Sequence, residues 1–142
     1  MARATITKEL YCEAPDETGL LGRIISTFKV QDISIVHLSA DTVQGRGILR
    51  MITKDNEKAR KAIQAFIPKI EEKEVLVVEF ENKVGTLAQV AILLGSNDVR
   101  IHSIYGTSGD GFKIVGVFST ADNARARDLI NEDSGALGIS ST

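Results

Sequence analysis

The feature of this sequence that most constrains its fold is an internal repeat with a shift of 66 residues. Identical residues coincide over most of the shifted length: Leu10 with Leu76, Glu13 with Glu79, Gly19 with Gly85, Leu21 with Leu87, Asp32 with Asp98, Ile35 with Ile101, Gly45 with Gly111 and Ile48 with Ile114. One inserted residue then aligns residues 55–60 with residues 122–127. A register that holds for so long indicates two copies of one structural unit, which we predict at residues 1–72 and 73–142.

Each copy begins with a strand, a glycine turn and a helix. In the second copy, β-branched and large apolar residues at 75–80 predict a buried strand. A turn follows at residues 82–85, and Leu87, Val90 and Leu94 then recur at the spacing of one helix face. We predict this helix at residues 84–94, with Gly95 in the left-handed conformation that ends many helices.

The same signals, followed along the chain, give the order of elements in both copies. The predicted strands are residues 5–14, 33–38, 48–52 and 69–72 in the first copy and 75–80, 99–105 and 112–119 in the second. The predicted helices are residues 20–30, 84–94 and 121–131, and one that Asp55 or Asn56 caps and Pro68 ends. We expect turns at residues 45–47 and 106–111, and either a short closing strand or a frayed end at residues 132–142.

Each copy therefore follows the order strand, helix, strand, strand, helix, with room for a short fourth strand. This order predicts an α+β fold that consists of two ferredoxin-like βαββαβ units. Each unit would have an antiparallel sheet with both helices on one face.

The composition is that of an ordinary folded protein. Hydrophobic residues make up 43% of the 142 residues and charged residues 25%. A net charge of −2 gives no general attraction to nucleic acid or to an anionic membrane. We find no apolar run near the roughly 20 residues of a membrane-spanning helix, and no apolar core of a secretion signal at residues 1–5. We therefore expect a cytoplasmic protein that binds neither nucleic acid nor membranes.

The residues that most often carry catalysis or bind metal ions do not form a recognisable pattern. The lone Cys12 has no partner for a disulfide or a metal site, and we expect it to act as a small buried hydrophobic residue. His37 and His102 do not coincide in the repeat, and neither has the partner spacing of a zinc site. The sequence contains no nucleophile elbow and no phosphate-binding loop. We therefore predict a protein without catalytic activity, metal or cofactor.

The second turn, Asn82-Lys83-Val84-Gly85-Thr86-Leu87, with the Val-Arg-Ile strand at residues 99–101, resembles the ACT domain, a small-molecule regulatory module. Val84 stands where that family usually has proline. The first turn, residues 16–21, is a looser match. Together the two matches cover nearly the whole chain, once per copy. The stretch Leu38-Ser39-Ala40-Asp41-Thr42 and the later Gly47-Ile48-Leu49-Arg50 are similar to small bacterial and archaeal tandem ACT proteins.

The resemblance implies that an amino acid binds at the interface between two ACT units. The first loop and the start of the first helix would hold the ligand backbone, and the second strand would add a polar side chain. The ligand-binding residues expected in this way are Asp16, Thr18, Gly19, Leu20, Ser34, Asn82, Val84, Gly85, Thr86 and Arg100. Ser34 and Arg100 stand where the family often has asparagine.

General chemistry supports such a site without the family name. The free N–H groups at a helix N-terminus attract a carboxylate, and nearby side-chain oxygens accept hydrogen bonds from an ammonium group. Both copies offer this pairing, with Asp16 or Asn82 as the acceptor. The alternative is that these polar residues cap their helices without binding anything, as Asp16 and Thr18 are both able to do for the first helix.

Four classes of function compete. We favour a sensor that binds an amino acid and acts as a homodimer or on a metabolic enzyme in trans. A purely structural oligomerisation module is the main alternative. An RNA-binding ferredoxin-like protein is a third, but Leu10, Leu49 and Leu76 fall where its stacking rings would be needed. An enzyme, the fourth, lacks any sequence signature. A homodimer is expected because small modules leave sheet edges unpaired.

Overall fold

The computed structural model describes residues 2–108 and 112–137. These residues form six strands and four helices, in the order β1 (Ala2–Pro15), α1 (Leu20–Val30), β2 (Ile35–Val43), β3 (Arg46–Thr53), α2 (Asn56–Ile63), β4 (Lys69–Glu81), α3 (Thr86–Ser96), β5 (Ile101–Ser108), β6 (Lys113–Thr120) and α4 (Asn123–Leu137). The chain divides into two compact units, which are Lys8–Lys73, and Met1–Thr7 together with Glu74–Thr142. Within the described ranges, no helix is long and apolar enough to cross a membrane.

The unit Lys8–Lys73 has the strand order β2-β3-β1-β4. Strand β3 pairs antiparallel with both β2 and β1. Helices α1 and α2 bury apolar residues against one face of these strands because Leu20, Ile24 and Phe28 recur at helical spacing. The buried core comprises Leu10, Cys12, Ala14, Leu20, Ile24, Phe28, Ile33, Leu49, Met51, Ala59, Ile63 and Ile67.

The other unit has the strand order β5-β6-β4-β1 and a core of its own. Strand β6 pairs antiparallel with both β4 and β5. Its buried core comprises Ala4, Leu76, Val78, Phe80, Val90, Leu94, Val99, Phe118, Ala126 and Ile130. Both units therefore have the predicted ferredoxin-like βαββαβ arrangement, and the predicted fold class is confirmed.

The last strand of the unit Lys8–Lys73 lies at the predicted residues but continues into the next strand, whereas the last strand of the other unit comes from an unexpected part of the chain. In the unit Lys8–Lys73 it is residues 69–73 of β4, which is one uninterrupted strand because no glycine or proline breaks the chain near residues 71–74. In the other unit, residues 2–7 of β1 lie beside β4. Residues 132–137, which we expected to close the fold or fray, continue helix α4, while residues 138–142 lie outside the described ranges.

Backbone conformation repeats with the sequence. Gly19 and Gly85 have φ of 90° and 92°, and Asp32 and Asp98 have φ of 57° and 59°. The left-handed residue after α3 is therefore Asp98, and the prediction that Gly95 takes this conformation is wrong because Gly95 lies inside the helix. Aspartate tolerates the left-handed region because its short polar side chain can form local hydrogen bonds.

A hydrogen-bond network at the start of the second helix also occurs in both copies. Asn56 Oδ1 accepts hydrogen bonds from the Thr53 N–H at 3.0 Å and the Thr53 hydroxyl at 2.8 Å, and Asn56 Nδ2 donates to the Lys8 carbonyl at 3.0 Å. Asn123 makes the matching bonds with Thr120 at 3.1 and 2.6 Å and with the Glu74 carbonyl at 3.2 Å. The predicted cap of α2 is Asp55, which accepts a hydrogen bond from the Lys58 N–H.

The leucines used above to argue against RNA binding do not lie where that argument put them. Leu10, Leu49 and Leu76 are all buried in the cores beneath the helices. The opposite face of the sheet therefore carries their sequence neighbours, among them Tyr11 and Arg50, because side chains alternate along a strand. On β1, the residue on the face that would stack on RNA bases is therefore Tyr11, one position after the Leu10 that the argument used.

Candidate functional site

A groove of about 410 Å³ lies at the N-terminal end of α1 in the unit Lys8–Lys73. It is lined by the loop before α1, by the first turn of that helix, and by the adjoining ends of β2 and β3. Its floor includes the apolar side chains of Leu20 and Leu49, which belong to the core, and the backbone of Gly47. The volume is within the range of about 300–1,000 Å³ that is typical of small-molecule sites.

A two-residue turn sets which strand residues reach the groove. Gln44 and Gly45 have φ of 51° and 75°, the pattern of a type I′ hairpin turn, and Val43 pairs with Arg46. Gly45 and Arg46–Gly47 were expected to form the turn together, but Arg46 and Gly47 belong to β3. This register pairs Gly47 with Thr42 on one side and Ala14 on the other.

The donor side of the groove is the N-terminus of α1. Gly19 is the N-cap residue, and no side chain caps the helix, so the prediction that Asp16 or Thr18 does so is wrong. The Leu20 N–H donates to the Glu17 carbonyl at 3.2 Å, which leaves the N–H groups of Leu21 and Gly22 without an acceptor in the described part of the chain. Both residues line the groove. Free N–H groups at a helix start attract a negatively charged group.

The acceptor side comes from the loop and from β2. Asp16 and Glu17 line the groove with exposed side chains, and the Asp16 N–H donates to the Gly45 carbonyl at 3.0 Å, which fixes the loop to the hairpin. Asp41 and Thr42 lie at the rim where β2 ends. Sequence reasoning missed these two residues, although the hairpin register that follows from a turn at Gln44 and Gly45 would have found them.

The structure brings some of the expected residues together and leaves others apart. Asp16, Gly19 and Leu20 line the groove, whereas Thr18 is exposed beside it. Ser34 is exposed beyond the C-terminal end of α1, an 11-residue helix about 16 Å long, and does not line the groove. Arg100 is exposed in the matching place before β5.

The second turn has the same backbone form. Gly85 is the N-cap residue of α3, again without a side-chain cap, so Asn82 does not cap this helix. The Asn82 N–H donates to the Phe112 carbonyl at 2.7 Å, and the Thr86 hydroxyl donates to the Glu81 carbonyl at 2.7 Å. Val84 is fully exposed. The residues that match the rim of the first groove are 107–111, of which 109–111 lie outside the described ranges, as does that part of the predicted turn at 106–111.

Electrostatics near the second turn are dominated by one ion pair. Lys83 Nζ lies 2.7 Å from Glu81 Oε2, and this hydrogen bond is the main reason why the pKa of the Glu81 carboxyl is lowered to about 2. The Glu81 carboxylate is therefore charged at neutral pH and is already engaged by a lysine.

The cysteine and the histidines are away from both turns. Cys12 is fully buried in the core, and this burial raises the pKa of its thiol to about 12. His37 lies on β2, and its pKa is lowered by partial burial. Across residues 2–108 and 112–137, no group of three or more His, Cys, Asp or Glu side chains is arranged to hold a metal ion.

No protein-family model matches the sequence, and no curated protein matches it either. Solved structures do match. A protein from Bacteroides thetaiotaomicron is 22% identical with a TM-score of 0.84, over 92% of this chain and 90% of that one. The regulatory subunit of aspartate kinase from Thermus thermophilus, in a ligand-free form, is 12% identical with a TM-score of 0.65, over 91% of this chain and 95% of that one.

A third match is a structure of aspartokinase α and β subunits, which is 13% identical with a TM-score of 0.64, over 92% of this chain and 95% of that one. At these identities the likeness is one of fold. The chain therefore has an ACT-type fold, and solved structures with this fold include the regulatory subunit of aspartate kinase.

Proposed function

We propose that this protein is a non-catalytic regulatory module of the tandem ACT type that binds a free amino acid in the groove at the start of α1. The observation that carries the proposal is the combination, in one groove, of two unoccupied helix N–H groups and a carboxylate on the facing loop. The likeness in fold to the regulatory subunit of aspartate kinase supports a regulatory role. The proposal that the ligand is an amino acid rests on the chemistry of the groove itself.

The groove suits each part of an amino acid. The ligand carboxylate accepts hydrogen bonds from the Leu21 and Gly22 N–H groups at the positive end of the helix dipole. The ligand ammonium donates to the Asp16 carboxylate, with the Thr42 hydroxyl as a second acceptor. The ligand side chain lies on the apolar floor near Leu20 and Leu49. The second turn, with Asn82, Val84, Gly85 and Thr86, is proposed as the equivalent site in the other copy.

Assembly is part of the same proposal. Leu21 and Ile25, one turn apart on α1, expose 39% and 40% of their surface next to the groove. In a homodimer, a second copy would cover these side chains and close the groove, which would couple ligand binding to association and let the dimer act on an enzyme in trans. A purely structural oligomerisation module would use the same apolar surface without a ligand.

Calorimetric titration of the full chain with each of the twenty amino acids tests the ligand. We expect saturable binding of at least one, and Asp16→Asn should weaken it about tenfold because the ligand ammonium then meets a neutral amide oxygen instead of a carboxylate. The matched control is Asp32→Asn, which makes the same change at the other end of α1, where asparagine also tolerates the left-handed conformation.

Two outcomes would count against this function. If none of the twenty titrations differs from dilution, the ligand claim fails and the structural alternative gains. If both variants bind like the wild type, the amino acid binds elsewhere. Sedimentation equilibrium at micromolar concentration, with and without ligand, tests the dimer separately, and a monomer under both conditions would rule it out.

A further inference from the structure

The helix-free face of the unit Lys8–Lys73 carries a row of polar side chains that the proposed function does not use. Leu10, Cys12, Leu49 and Met51 point into the core, so Tyr11 and Arg50 point to the opposite face. The strand register places Arg50 directly between Tyr11 on β1 and Ser39 on β2. We call Ser39, Arg50 and Tyr11 the polar row.

Arg50 differs from the other cations around Tyr11 because no carboxylate among the described residues pairs with it; its contact is with the Tyr11 ring. Lys69 Nζ lies 3.0 Å from Glu13, and Lys73 Nζ lies 3.6 Å from Glu71. Arg50 makes no ion pair or side-chain hydrogen bond within the described part of the chain, and its guanidinium carbon lies 5.4 Å from the centre of the Tyr11 ring. A half-buried arginine next to a serine and a tyrosine, unpaired with any carboxylate of the described residues, presents unused hydrogen-bond donors.

Two of the carboxylates on this face are unavailable to Arg50. Glu13 is shared between Lys69 and Arg46, at 3.0 and 3.9 Å. Glu71 lies 3.6 Å from both Lys69 and Lys73. Asp41 lies farther along β2, where its paired residue is Ile48 rather than Arg50. The buried Glu9 also lies on this face, and it has a contact of its own. Because none of these carboxylates pairs with Arg50 within the described part of the chain, its donors remain open to an anion from solution.

The other unit provides an internal comparison. By the repeat register, its residues Val77, Val117 and Tyr105 occupy the positions of Tyr11, Arg50 and Ser39, and they are paired side by side in the same way. The ferredoxin-like arrangement forms with valine where Arg50 stands, so the fold does not require a cation there. A separate reason is needed for an unpaired arginine in the unit Lys8–Lys73.

We propose that the polar row binds the phosphate group of a small phosphate monoester. The planar guanidinium of Arg50 matches two phosphate oxygens, and the Ser39 hydroxyl donates to the same group. Lys73, whose ammonium lies 4.1 Å from the centre of the Tyr11 ring and 3.6 Å from Glu71, supplies a second positive charge beside the same ring. A phosphate dianion has two negative charges and balances both cations, whereas a carboxylate has one negative charge and balances one of them.

A strand of RNA is the less favoured occupant of this face. Binding of a nucleic-acid strand relies on a track of several phosphate contacts, whereas the polar row supplies one unpaired cation in a chain of net charge −2. A small ligand needs a single phosphate position. The polar row offers one.

The test is an amide-shift titration of the ¹⁵N-labelled full chain at constant ionic strength, with inorganic phosphate, AMP, ribose 5-phosphate and adenosine as probes. We expect saturable shifts at Ser39, Tyr11 and Arg50 with the three phosphates, none with adenosine, and none at Val77 and Val117. Equal responses to AMP and ribose 5-phosphate would show that the protein recognises the phosphate and the sugar. A stronger response to AMP would show that it recognises the base as well. Absence of saturation, or an equal response to adenosine, overturns the proposal.

Charge-matched variants complete the test. Arg50→Gln should weaken phosphate binding about tenfold or more, whereas Arg125→Gln, which removes the same charge from the exposed surface of α4, should stay within about twofold of the wild type. Equal loss in both variants would mean general charge attraction and overturn the site, as would binding of a single-stranded RNA far more tightly than AMP. Shifts at Leu21 and Gly22 report the amino-acid groove separately, so the two proposals can fail independently.

Discussion

At the scale of single residues, the two helices that follow the glycine turns begin at a conformation that few residues other than glycine adopt. Gly85 has φ of 92°, and a Cβ atom built there would meet nothing within 4 Å. A substitution at this position is therefore penalised by backbone strain alone. Gly95, in the same helix, has ordinary helical conformation and equally open surroundings.

These two glycines give an opposed pair of predictions. Gly85→Ala should lower the free energy of unfolding by about 1–2 kcal/mol because alanine resists the left-handed region. Gly95→Ala should raise it by about 0.5–1 kcal/mol because alanine favours a helix interior. Urea denaturation of both variants measures the difference. If both substitutions destabilise equally, side-chain space rather than backbone conformation controls these sites.

At the scale of secondary-structure elements, short hydrogen-bond networks join β1 to the start of α2 and β4 to the start of α4. Asn56 is central to the first of them, since its amide holds Thr53 and the Lys8 carbonyl together. Asn123 does the same with Thr120 and Glu74. Their repetition shows that the network belongs to the unit rather than to one local sequence.

Asn56→Ala should therefore destabilise the protein by about 1–3 kcal/mol, since it removes three hydrogen bonds and leaves a half-buried N–H without a partner. Asn82→Ala, at an exposed side chain that makes no hydrogen bond within the described part of the chain, should change stability by less than about 0.5 kcal/mol. Chemical denaturation compares the two variants. A similar effect of both would mean that the network contributes little to stability.

The elements that sequence reasoning predicted well are those that a local pattern determines. Helix α1 was predicted at residues 20–30 because Leu20, Ile24 and Phe28 repeat at helical spacing, and it has these bounds. The predicted break between the strands at residues 69–72 and 75–80 is absent, because no residue there prevents one extended strand. Residues 2–7 lie beside β4 through a pairing that no local pattern reveals.

The candidate site shows the same limit. Gly19 and Asp16 were predicted from the turn itself and line the groove. Thr42 reaches the rim because of the hairpin register, which a shift of the turn by one residue would change. Ser34 was expected from a resemblance that matches positions along one strand, whereas the groove lies at the opposite end of that strand.

At the scale of the whole molecule, strand β1 belongs to two compact units, with the division between Thr7 and Lys8. Asn131 of α4 fixes the first part of this strand, since the Ala4 N–H donates to Asn131 Oδ1 at 2.8 Å and Asn131 Nδ2 donates to the Ala4 carbonyl at 3.0 Å. Ala4 itself is buried in the core of the unit that contains Glu74–Thr142. The N-terminal residues thus stabilise a unit that is distant from them in sequence.

Asn131→Ala should consequently act on one unit more than on the other. Loss of the two hydrogen bonds should lower the opening free energy of the amides in residues 2–7 and 74–81 by about 1–2 kcal/mol, while those of α1 and β3 should change by less than about 0.5 kcal/mol. Native-state hydrogen exchange resolves these regions in the full chain, and Asn82→Ala in the same unit serves as the control. If protection in α1 and β3 falls as far as in residues 2–7, the two units open as one body, and the division of β1 at Thr7 has no energetic meaning.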